Sequence, residues 1–176
     1  MYHEENMETE RLILHPPATD DLEALHGIFS DPITMSFWPV PFVKDGTRSW
    51  IFRSLRDHEE MGFGRRPVIL KSSGEIVGDC GIMRVEIAGE TEYDLGYIIH
   101  HPYWGKGYAS EAAQACKRYA VERLGIRRLV ANMPVDHAAS VRVAEKLGMR
   151  WEKTFRNPKN RDIETHLYAF ESNPGL

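Results

Sequence analysis

A strand-like run followed by two closely spaced glycines constrains the fold of this chain more than any other stretch. Residues 97–101 are Tyr-Ile-Ile-His-His and residues 102–108 are Pro-Tyr-Trp-Gly-Lys-Gly-Tyr. The β-branched and aromatic residues favour a buried strand, and Pro102 ends it because proline has no amide hydrogen to donate to a sheet. Gly105 and Gly107 allow positive φ and a close approach of the backbone to a ligand.

A helix is predicted to follow the glycine turn. Small apolar residues recur there at helical spacing, with polar residues between them. These residues are Ala109, Ala112, Ala113, Cys116 and Ala120. The first amides of a helix have no partner within it, and the helix dipole stabilises a bound anion there by about 0.3 to 1 kcal/mol per contact. The turn is therefore a predicted anion site, and phosphate is the anion that suits it.

Two common phosphate-binding motifs do not match this turn. In a P-loop, lysine and a hydroxyl residue follow the second glycine, whereas Lys106 precedes it here. A dinucleotide fingerprint needs a small third residue, where Ser110 stands, and an acidic residue after the next strand, which residues 128–132 do not supply. Because two glycines alone are a weak signal, an ordinary strand-to-helix turn is the alternative.

The whole string of residues 104–109, Trp-Gly-Lys-Gly-Tyr-Ala, resembles the acetyl-coenzyme A motif of the GNAT acetyltransferase superfamily, in the branch of ribosomal-protein N-terminal acetyltransferases. It matches the family pattern Gln/Arg-x-x-Gly-x-Gly/Ala at every position but the first, where Trp104 stands. The resemblance implies that amides of the turn bind the pyrophosphate of coenzyme A, and that the preceding strand end pairs with the pantetheine arm. The cofactor-binding residues implied are Tyr97, Ile98, Ile99, Gly105, Lys106, Gly107, Tyr108, Ala109, Ser110 and His137.

A second segment carries the same resemblance. Residues 136–149, Asp-His-Ala-Ala-Ser-Val-Arg-Val-Ala-Glu-Lys-Leu-Gly-Met, resemble the family motif Asn-x-x-Ser followed by Glu-Lys-Leu-Gly-Phe. His137 stands where asparagine is usual, and Met149 where phenylalanine is usual. The family asparagine hydrogen-bonds near the pantetheine, and histidine can do so too, with a charge that varies with pH.

The remaining pattern predicts one α/β domain. Residues 9–17 resemble a first strand halted by prolines, and residues 66–71 and 76–83 form a hairpin signal before the central strand. A twisted mixed sheet of about six to seven strands flanked by about four helices is what the resemblance implies for the fold. The domain is expected to span residues 9–171, with tails at 1–8 and 172–176.

Helix starts can also be predicted from capping residues. Thr19 is a good N-cap for a first helix, and Asp136 for the helix of the second motif. The aromatic residues of 33–42 either fold onto the core or, as the family resemblance implies, line the acceptor cleft. The basic residues of the last loop, Arg156, Lys159 and Arg161, are expected to be solvated.

Composition argues against several partners. A net charge of -4 without a basic stripe disfavours nucleic acid. No signal-like start and no apolar run of roughly 18 residues are present, so no membrane partner and a soluble, cytoplasmic chain are expected. Cys80 and Cys116 lie in apolar patterns and are expected to be reduced. No metal site is expected, because a ligand motif is absent and His100 and His101, if adjacent on a strand, point to opposite faces.

Acetyl transfer to an amine sets the catalytic needs. A protonated amine has no lone pair, so a base must accept a proton, and the departing thiolate benefits from an acid. Asp94, and after it Glu92, lie on the strand leading to the glycine turn, where strand alternation places both carboxylates on one face. An ordinary polar role on the strand is the alternative for each.

The candidate acid comes from the second motif. Many members of the superfamily place a tyrosine on this helix, where the chain has Ala144. Ser140, the serine of the motif, is therefore the candidate, with Tyr168 and Tyr97 behind it. A first-turn helix serine without a catalytic role is the alternative.

The sequence thus predicts an N-acetyltransferase that moves an acetyl group from acetyl-coenzyme A to a primary amine by direct attack in a ternary complex. The acceptor is either a protein N-terminus or a small amine, and a homodimer is left open. The alternative is a non-catalytic acyl-coenzyme A-binding or sensing module, which the Ala144 departure leaves open.

Overall fold

A computed structural model describes residues 6–172 as one mixed sheet with flanking helices. The strands are β1 (Met7–Glu8), β2 (Leu12–Leu14), β3 (Arg65–Leu70), β4 (Ile76–Ile87), β5 (Glu90–Ile99), β6 (Arg128–Pro134), β7 (Arg150–Asn157) and β8 (Ile163–Glu171). The α-helices are α1 (Leu22–Phe29), α2 (Lys44–Met61), α3 (Tyr108–Glu122) and α4 (Ala138–Lys146). The predicted fold class is confirmed, and the eight-stranded sheet of this part of the chain is slightly larger than expected.

The sheet has the order β1-β2-β3-β4-β5-β6-β8-β7. Neighbouring strands are antiparallel except β5 and β6, which are parallel. β4 and β5 pair continuously from Gly78↔Ile99 to Ile87↔Glu90, whereas the ladder between β5 and β6 is limited to Asp94↔Val130. Both β5 and β6 continue beyond that pair, and two cavities lie beside this part of the sheet.

The predicted first strand, residues 9–17, is reduced to β2 in the structure, and a separate short strand, β1, precedes it with a break at residues 9–11. The break occurs because the amide of Arg11 donates to the carboxylate of Glu111 on α3 (2.8 Å) instead of to a neighbouring strand. The Thr9 hydroxyl donates to the same carboxylate (2.6 Å), and the Thr9 amide donates to the Leu12 carbonyl (3.0 Å). The sheet includes Met7, two residues before the predicted domain start.

Small side chains hold α3 close to the sheet. Ala112, Ala113, Cys116 and Ala120 are fully buried in a core cluster with residues of β2 to β6. A second cluster lies under α1 and α2 and includes Phe29, which contacts Trp50 and Phe42 edge-on. α3 begins after the turn that follows β5, and its first residues line one of the cavities beside β5.

Two predicted N-cap residues are wrong by one or two positions in the sequence. Thr19 lies in a 3-10 helix that precedes α1, whose N-cap is Asp21. His137, not Asp136, is the N-cap of α4, because the amide of His137 donates back to the Pro134 carbonyl in a tight turn (2.9 Å). Among residues 6–172, none of the helices combines the length and the apolar character that crossing a membrane requires.

Candidate active site

A cavity of about 520 Å³ lies at the glycine turn, and we call it the glycine-turn cavity. It is bounded by the end of β5, the turn itself, the first residues of α3 and one face of α4. All of the predicted cofactor residues line it except Lys106. The ammonium of Lys106 lies over the Tyr103 ring instead (5.3 Å to the ring centre), and its carbonyl accepts from Arg11 (2.8 Å).

The backbone of the turn adopts the conformation that its glycines permit. Gly105 and Gly107 have φ of 74° and 82°, and a Cβ placed on Gly105 would meet no atom within 4 Å. The indole nitrogen of Trp104 donates to the Ile99 carbonyl (2.6 Å) and ties the turn to the strand end. The first amides of α3 therefore face open space beside β5, as an anion site requires.

Two basic residues of this cavity were not predicted from the sequence. Arg142 and Lys146 lie one helical turn apart on α4, and both line the glycine-turn cavity. Their spacing places them on one face of the helix, which is the available signal for them. Together with the amides of the turn, they make this cavity suited to a ligand with several phosphate groups.

A second cavity, also of about 520 Å³, lies between β5 and β6, and we call it the Asp94 cavity. Asp94 is partly buried in its wall and accepts a hydrogen bond from the Asn132 amide (3.0 Å). Burial raises the pKa of Asp94 to about 6, against the opposing effect of the Asn132 hydrogen bond. A carboxyl group with this pKa is deprotonated at neutral pH and can still accept a proton readily.

The wall of the Asp94 cavity contains a buried ion pair. Arg65 is 3% exposed, and its Nε donates to the Asp79 carboxylate (2.7 Å), which also accepts from the Trp50 indole (3.2 Å). A Cβ on Gly96 would lie 1.7 Å from an Arg65 nitrogen, so only glycine at this place in β5 leaves room for the guanidinium. This pair was not predicted from the sequence. The only indication of it there is that two residues of opposite charge lie in neighbouring apolar strands.

The two cavities meet at a set of shared lining residues. These residues are Phe37, Trp38, Tyr97, Ile98, His137 and Ser140. The Tyr97 hydroxyl donates to the Ser140 carbonyl (2.8 Å), and the Ser140 hydroxyl donates to the Tyr97 oxygen (3.1 Å). Burial raises the pKa of Tyr97 far above its usual value, so this hydroxyl keeps its proton.

His137 covers the junction of the cavities from the α4 side. Its ring stacks on Phe37 with 3.8 Å between ring centres and an angle of 10°. Burial lowers the pKa of His137, so the ring is neutral at physiological pH. Part of the aromatic segment 33–42 thus lines the cavities, and part, such as Phe42, packs against the second core cluster.

The structure separates the two candidate bases. Glu92 accepts hydrogen bonds from Arg128 (2.8 Å), whose guanidinium also contacts Glu152 (2.9 Å) and Glu171 (3.0 Å). Glu92 lines neither cavity, whereas Asp94 lines one of them. Tyr168, a further candidate for the acid, is 8% exposed and also lines neither of the two cavities.

The prediction that His100 and His101 face apart is wrong, because β5 ends at Ile99 and strand alternation no longer applies. His101 Nδ1 lies 2.7 Å from an Asp31 oxygen, and His100 Nε2 lies 4.0 Å from it. The three side chains are close enough to bind one metal ion. The same Asp31 oxygen already accepts from the amide and hydroxyl of Thr34, and these bonds hold the pKa of Asp31 well below its usual value.

The basic loop between β7 and β8, residues 158–162, is closer to the site than expected. Lys159 and the preceding Arg156 are exposed, and both also line the Asp94 cavity. Lys159 Nζ donates to the Glu86 carbonyl (2.7 Å), and the Asn160 amide donates to the Phe37 carbonyl (2.8 Å). The β7–β8 loop is therefore attached to two separate lining segments of this cavity, at Phe37 and at Glu86.

Comparisons with known proteins point to one family. The model of the family described as acetyltransferase (GNAT) domain matches residues 11–150. The uncharacterized protein YkkB of Bacillus subtilis is 34% identical, and the match covers 84% of this chain and 87% of that protein. The uncharacterized N-acetyltransferase YnaD of the same organism is 29% identical, with 91% and 92% covered.

Solved structures agree with this relationship. A GNAT-family acetyltransferase from Bacillus anthracis superposes with a TM-score of 0.78 at 30% identity, covering 95% of this chain and 98% of its own. The ribosomal L7/L12 acetyltransferase RimL in complex with coenzyme A superposes with a TM-score of 0.77 at 19% identity, covering 95% and 98%. The second likeness shows the shared fold.

Proposed function

The chain belongs to the GNAT acetyltransferase family and is an N-acetyltransferase, and we propose that it works by direct attack of an amine on acetyl-coenzyme A, with both substrates bound together. The observation that carries this proposal is the meeting of two cavities at Tyr97 and Ser140. One cavity offers main-chain amides and basic side chains, and the other offers a carboxyl group. Holding two reactants at such a junction replaces a bimolecular encounter by a positioned one.

The glycine-turn cavity fits coenzyme A. Its turn leaves open space above Gly105, its helix N-terminus favours anions, and Arg142 and Lys146 lie opposite on α4. The short ladder between β5 and β6 leaves main-chain groups at the end of β5 that point away from β4 without a partner strand, and the pantetheine arm can pair there; the Ile99 carbonyl already accepts from Trp104. When bound, the cofactor supplies the thioester that the amine attacks.

We assign the base to Asp94. It lies in the cavity next to the junction, and its raised pKa of about 6 keeps it charged at neutral pH but basic enough to take the proton of an ammonium, directly or through water. The Asn132 amide holds the carboxylate in place. Glu92 is the weaker candidate for the base, because its carboxylate forms an ion pair with Arg128.

We propose that Ser140 donates a hydrogen bond to the departing thiolate. Its hydroxyl lines both cavities, and its hydrogen can turn from the Tyr97 oxygen toward a sulfur atom placed at the junction. Tyr97 is the second candidate, since its hydroxyl belongs to the same pair of hydrogen bonds. Ala144, at the position where many superfamily members carry a tyrosine, is buried and has no acidic group.

The experiment that tests the proposal measures release of the free thiol from acetyl-coenzyme A in the presence of small amines and of peptides with free N-termini. The wild-type protein is expected to bind coenzyme A and to release thiol with at least one class of acceptor. Binding without turnover on any amine would identify the non-catalytic module instead, and absence of coenzyme A binding would overturn both functions.

Two carboxylate variants distinguish the bases. Asp94→Asn is expected to lower turnover by about 10²- to 10⁴-fold and to remove the decline of activity below pH 6, because the group that titrates is gone. Glu92→Gln removes a carboxylate from the same strand and is expected to change turnover much less. The reverse order of effects would transfer the role of base to Glu92.

A further inference from the structure

We propose that the acceptor is a small amine whose end remote from the amine carries a negatively charged group, and that Arg156 and Lys159 bind this group. The inference rests on the transferase function proposed above. It concerns the Asp94 cavity alone and names the class of acceptor that this cavity fits.

Both basic side chains keep their positive charge available to a ligand. Lys159 Nζ donates to the carbonyl of Glu86 (2.7 Å), and an Arg156 nitrogen donates to the carbonyl of Asp162 (3.2 Å). A carbonyl carries no net charge, and within residues 6–172 neither side chain forms an ion pair with a carboxylate. Both are exposed residues in the lining of the cavity, which is where a ligand would meet them.

The other charges of this cavity have partners or lie at its inner end. The buried guanidinium of Arg65 is balanced by Asp79. The exposed Glu86 carboxylate accepts from the Thr91 hydroxyl. Asp94, the base, is partly buried, and Lys159 is among the charges that favour its ionised form. The cavity thus has the partly buried carboxyl group of Asp94 near the junction, and its exposed charged lining consists of two cations, Arg156 and Lys159, and the carboxylate of Glu86.

This arrangement favours one charge pattern in the acceptor. The amine must lie near Asp94 and the junction of the cavities, because the proton and the acetyl group are exchanged there. The remainder of the acceptor then extends toward Arg156 and Lys159, which form strong charge-assisted hydrogen bonds with a carboxylate or a phosphate. A polyamine would place a second cation at these two side chains, which would repel it.

The β7–β8 loop also restricts the size of the acceptor. Its residues Lys159 and Asn160 donate hydrogen bonds to the Glu86 and Phe37 carbonyls, and both of these residues line the cavity. A loop attached on both sides limits the space through which a protein chain could leave the cavity. An ω-amino acid or an amino-alkyl phosphate carries its anionic group at the end remote from the amine and is small enough for a cavity of about 520 Å³.

The test compares acceptors in pairs that differ by one anionic group. Suitable pairs are γ-aminobutyrate with butylamine, and phosphoethanolamine with ethanolamine, measured by thiol release under steady-state conditions. At least one anionic member is expected to exceed its neutral partner in kcat/KM by tenfold or more, which corresponds to about 1.4 kcal/mol. The carboxylate and phosphate pairs distinguish the two sources of negative charge.

Charge-reversed variants connect this preference to the two residues. Lys159→Glu and Arg156→Glu are each expected to lower kcat/KM for the anionic acceptor about tenfold more than kcat/KM for its neutral partner. Because both members of a pair use the same base, an effect of Lys159 on the pKa of Asp94 cancels in this ratio. Lys159→Gln serves as a milder second variant, and Arg150→Glu, an exposed arginine of β7 that lines neither cavity, is the matched control. The preference of the wild type should also weaken at high salt, because salt screens exposed charges.

Three outcomes would overturn the inference. Equal or better use of the neutral members would show that no anion is recognised. A preference that persists in Lys159→Glu and Arg156→Glu would place the anion elsewhere, and faster acetylation of peptides than of every small amine would contradict the size limit. Absence of turnover with all amines despite coenzyme A binding would instead overturn the transferase mechanism, together with this inference.

Discussion

The glycine-turn cavity and the Asp94 cavity have similar volumes and share a wall, but they are made from different parts of the protein. The first is formed largely by the main chain of residues 97–110 and one face of α4. The second is formed by side chains that come from β3 to β7, the β7–β8 loop and the aromatic segment 33–42. The main chain can bind the same cofactor in many sequences, whereas side chains from distant segments determine which acceptor is used.

The two cavities also differ in how charge is held. The glycine-turn cavity uses amides and two cations that need no partner inside the protein. The Asp94 cavity contains a buried ion pair, Arg65 with Asp79, and a partly buried carboxyl group with a raised pKa. We call the part of the protein around the Asp94 cavity the acceptor half, and the part around the glycine-turn cavity the cofactor half. The residues that determine acceptor specificity therefore also affect folding stability more strongly in the acceptor half than in the cofactor half.

The largest expected effect is on stability and comes from the acceptor half. Asp79→Ala leaves the Arg65 guanidinium buried without its carboxylate, and the free energy of unfolding is expected to fall by about 3 to 5 kcal/mol. Denaturant unfolding measures this change. Glu171→Ala, which removes a 70% exposed partner of Arg128, is the control.

The control is expected to cost less than about 1 kcal/mol, because exposed ion pairs contribute little. If Asp79→Ala and Glu171→Ala lowered the free energy of unfolding by similar amounts, the buried ion pair of the acceptor half would matter no more for stability than an exposed one.

The next effect tests the cofactor half. Gly105→Ala adds a methyl group to a residue with φ of 74° in the turn, and the affinity for coenzyme A is expected to fall about tenfold, or about 1.4 kcal/mol. Isothermal titration calorimetry measures it. Gly125→Ala is matched, since Gly125 also has positive φ (66°) and open space around its Cβ position, away from the cavities.

Both glycine variants should lose similar stability, about 1 kcal/mol. If Gly125→Ala weakened coenzyme A binding as much as Gly105→Ala, strain alone would account for the loss and the turn would have no special role.

A smaller effect is expected at the shared wall. Ser140→Ala removes one hydrogen bond to the departing sulfur, worth about 1 kcal/mol, so kcat should fall about fivefold with unchanged coenzyme A affinity. Ser73→Ala, in the exposed turn between β3 and β4, is the matched serine control. An unchanged kcat in Ser140→Ala would leave Tyr97 as the candidate donor.

The smallest effect is a shift of the pH profile. The Asn132 amide stabilises the charged form of Asp94, so Asn132→Ala is expected to raise the pKa of this carboxyl and move the acidic limb of kcat/KM upward by about half a pH unit. Activity near pH 6 should therefore fall while activity at pH 8 is retained. A limb that moves to lower pH would contradict the assignment of Asp94 as the titrating base.

The sequence predicted the local parts of the molecule well. The glycine turn, the small-residue face of α3 and the approximate strand positions were all available from periodicity and from the resemblance of residues 104–109 and 136–149 to family motifs. These features depend on residues that are near each other in the chain, so a pattern can indicate them directly.

The parts that were missed depend on contacts between distant segments. Arg65 meets Asp79 only because β3 and β4 pair, and Lys159 reaches Glu86 only because the β7–β8 loop folds back over the β4–β5 hairpin. His101 meets Asp31 because the strand ends one residue before His100. A register or a strand end that shifts by one residue changes each of these contacts, and sequence patterns do not determine them so closely.

The short parallel ladder at Asp94↔Val130 has a consequence for solvent contact. Amides of residues 95–99 that point away from β4 have no continuous partner strand on their other side, so they should exchange their hydrogens for deuterium readily in the unliganded protein. A pantetheine chain lying along β5 would act as the absent strand and slow this exchange. Deuterium uptake at the alternate residues of this segment whose amides point away from β4 would thus report occupancy of the groove without any acceptor being known.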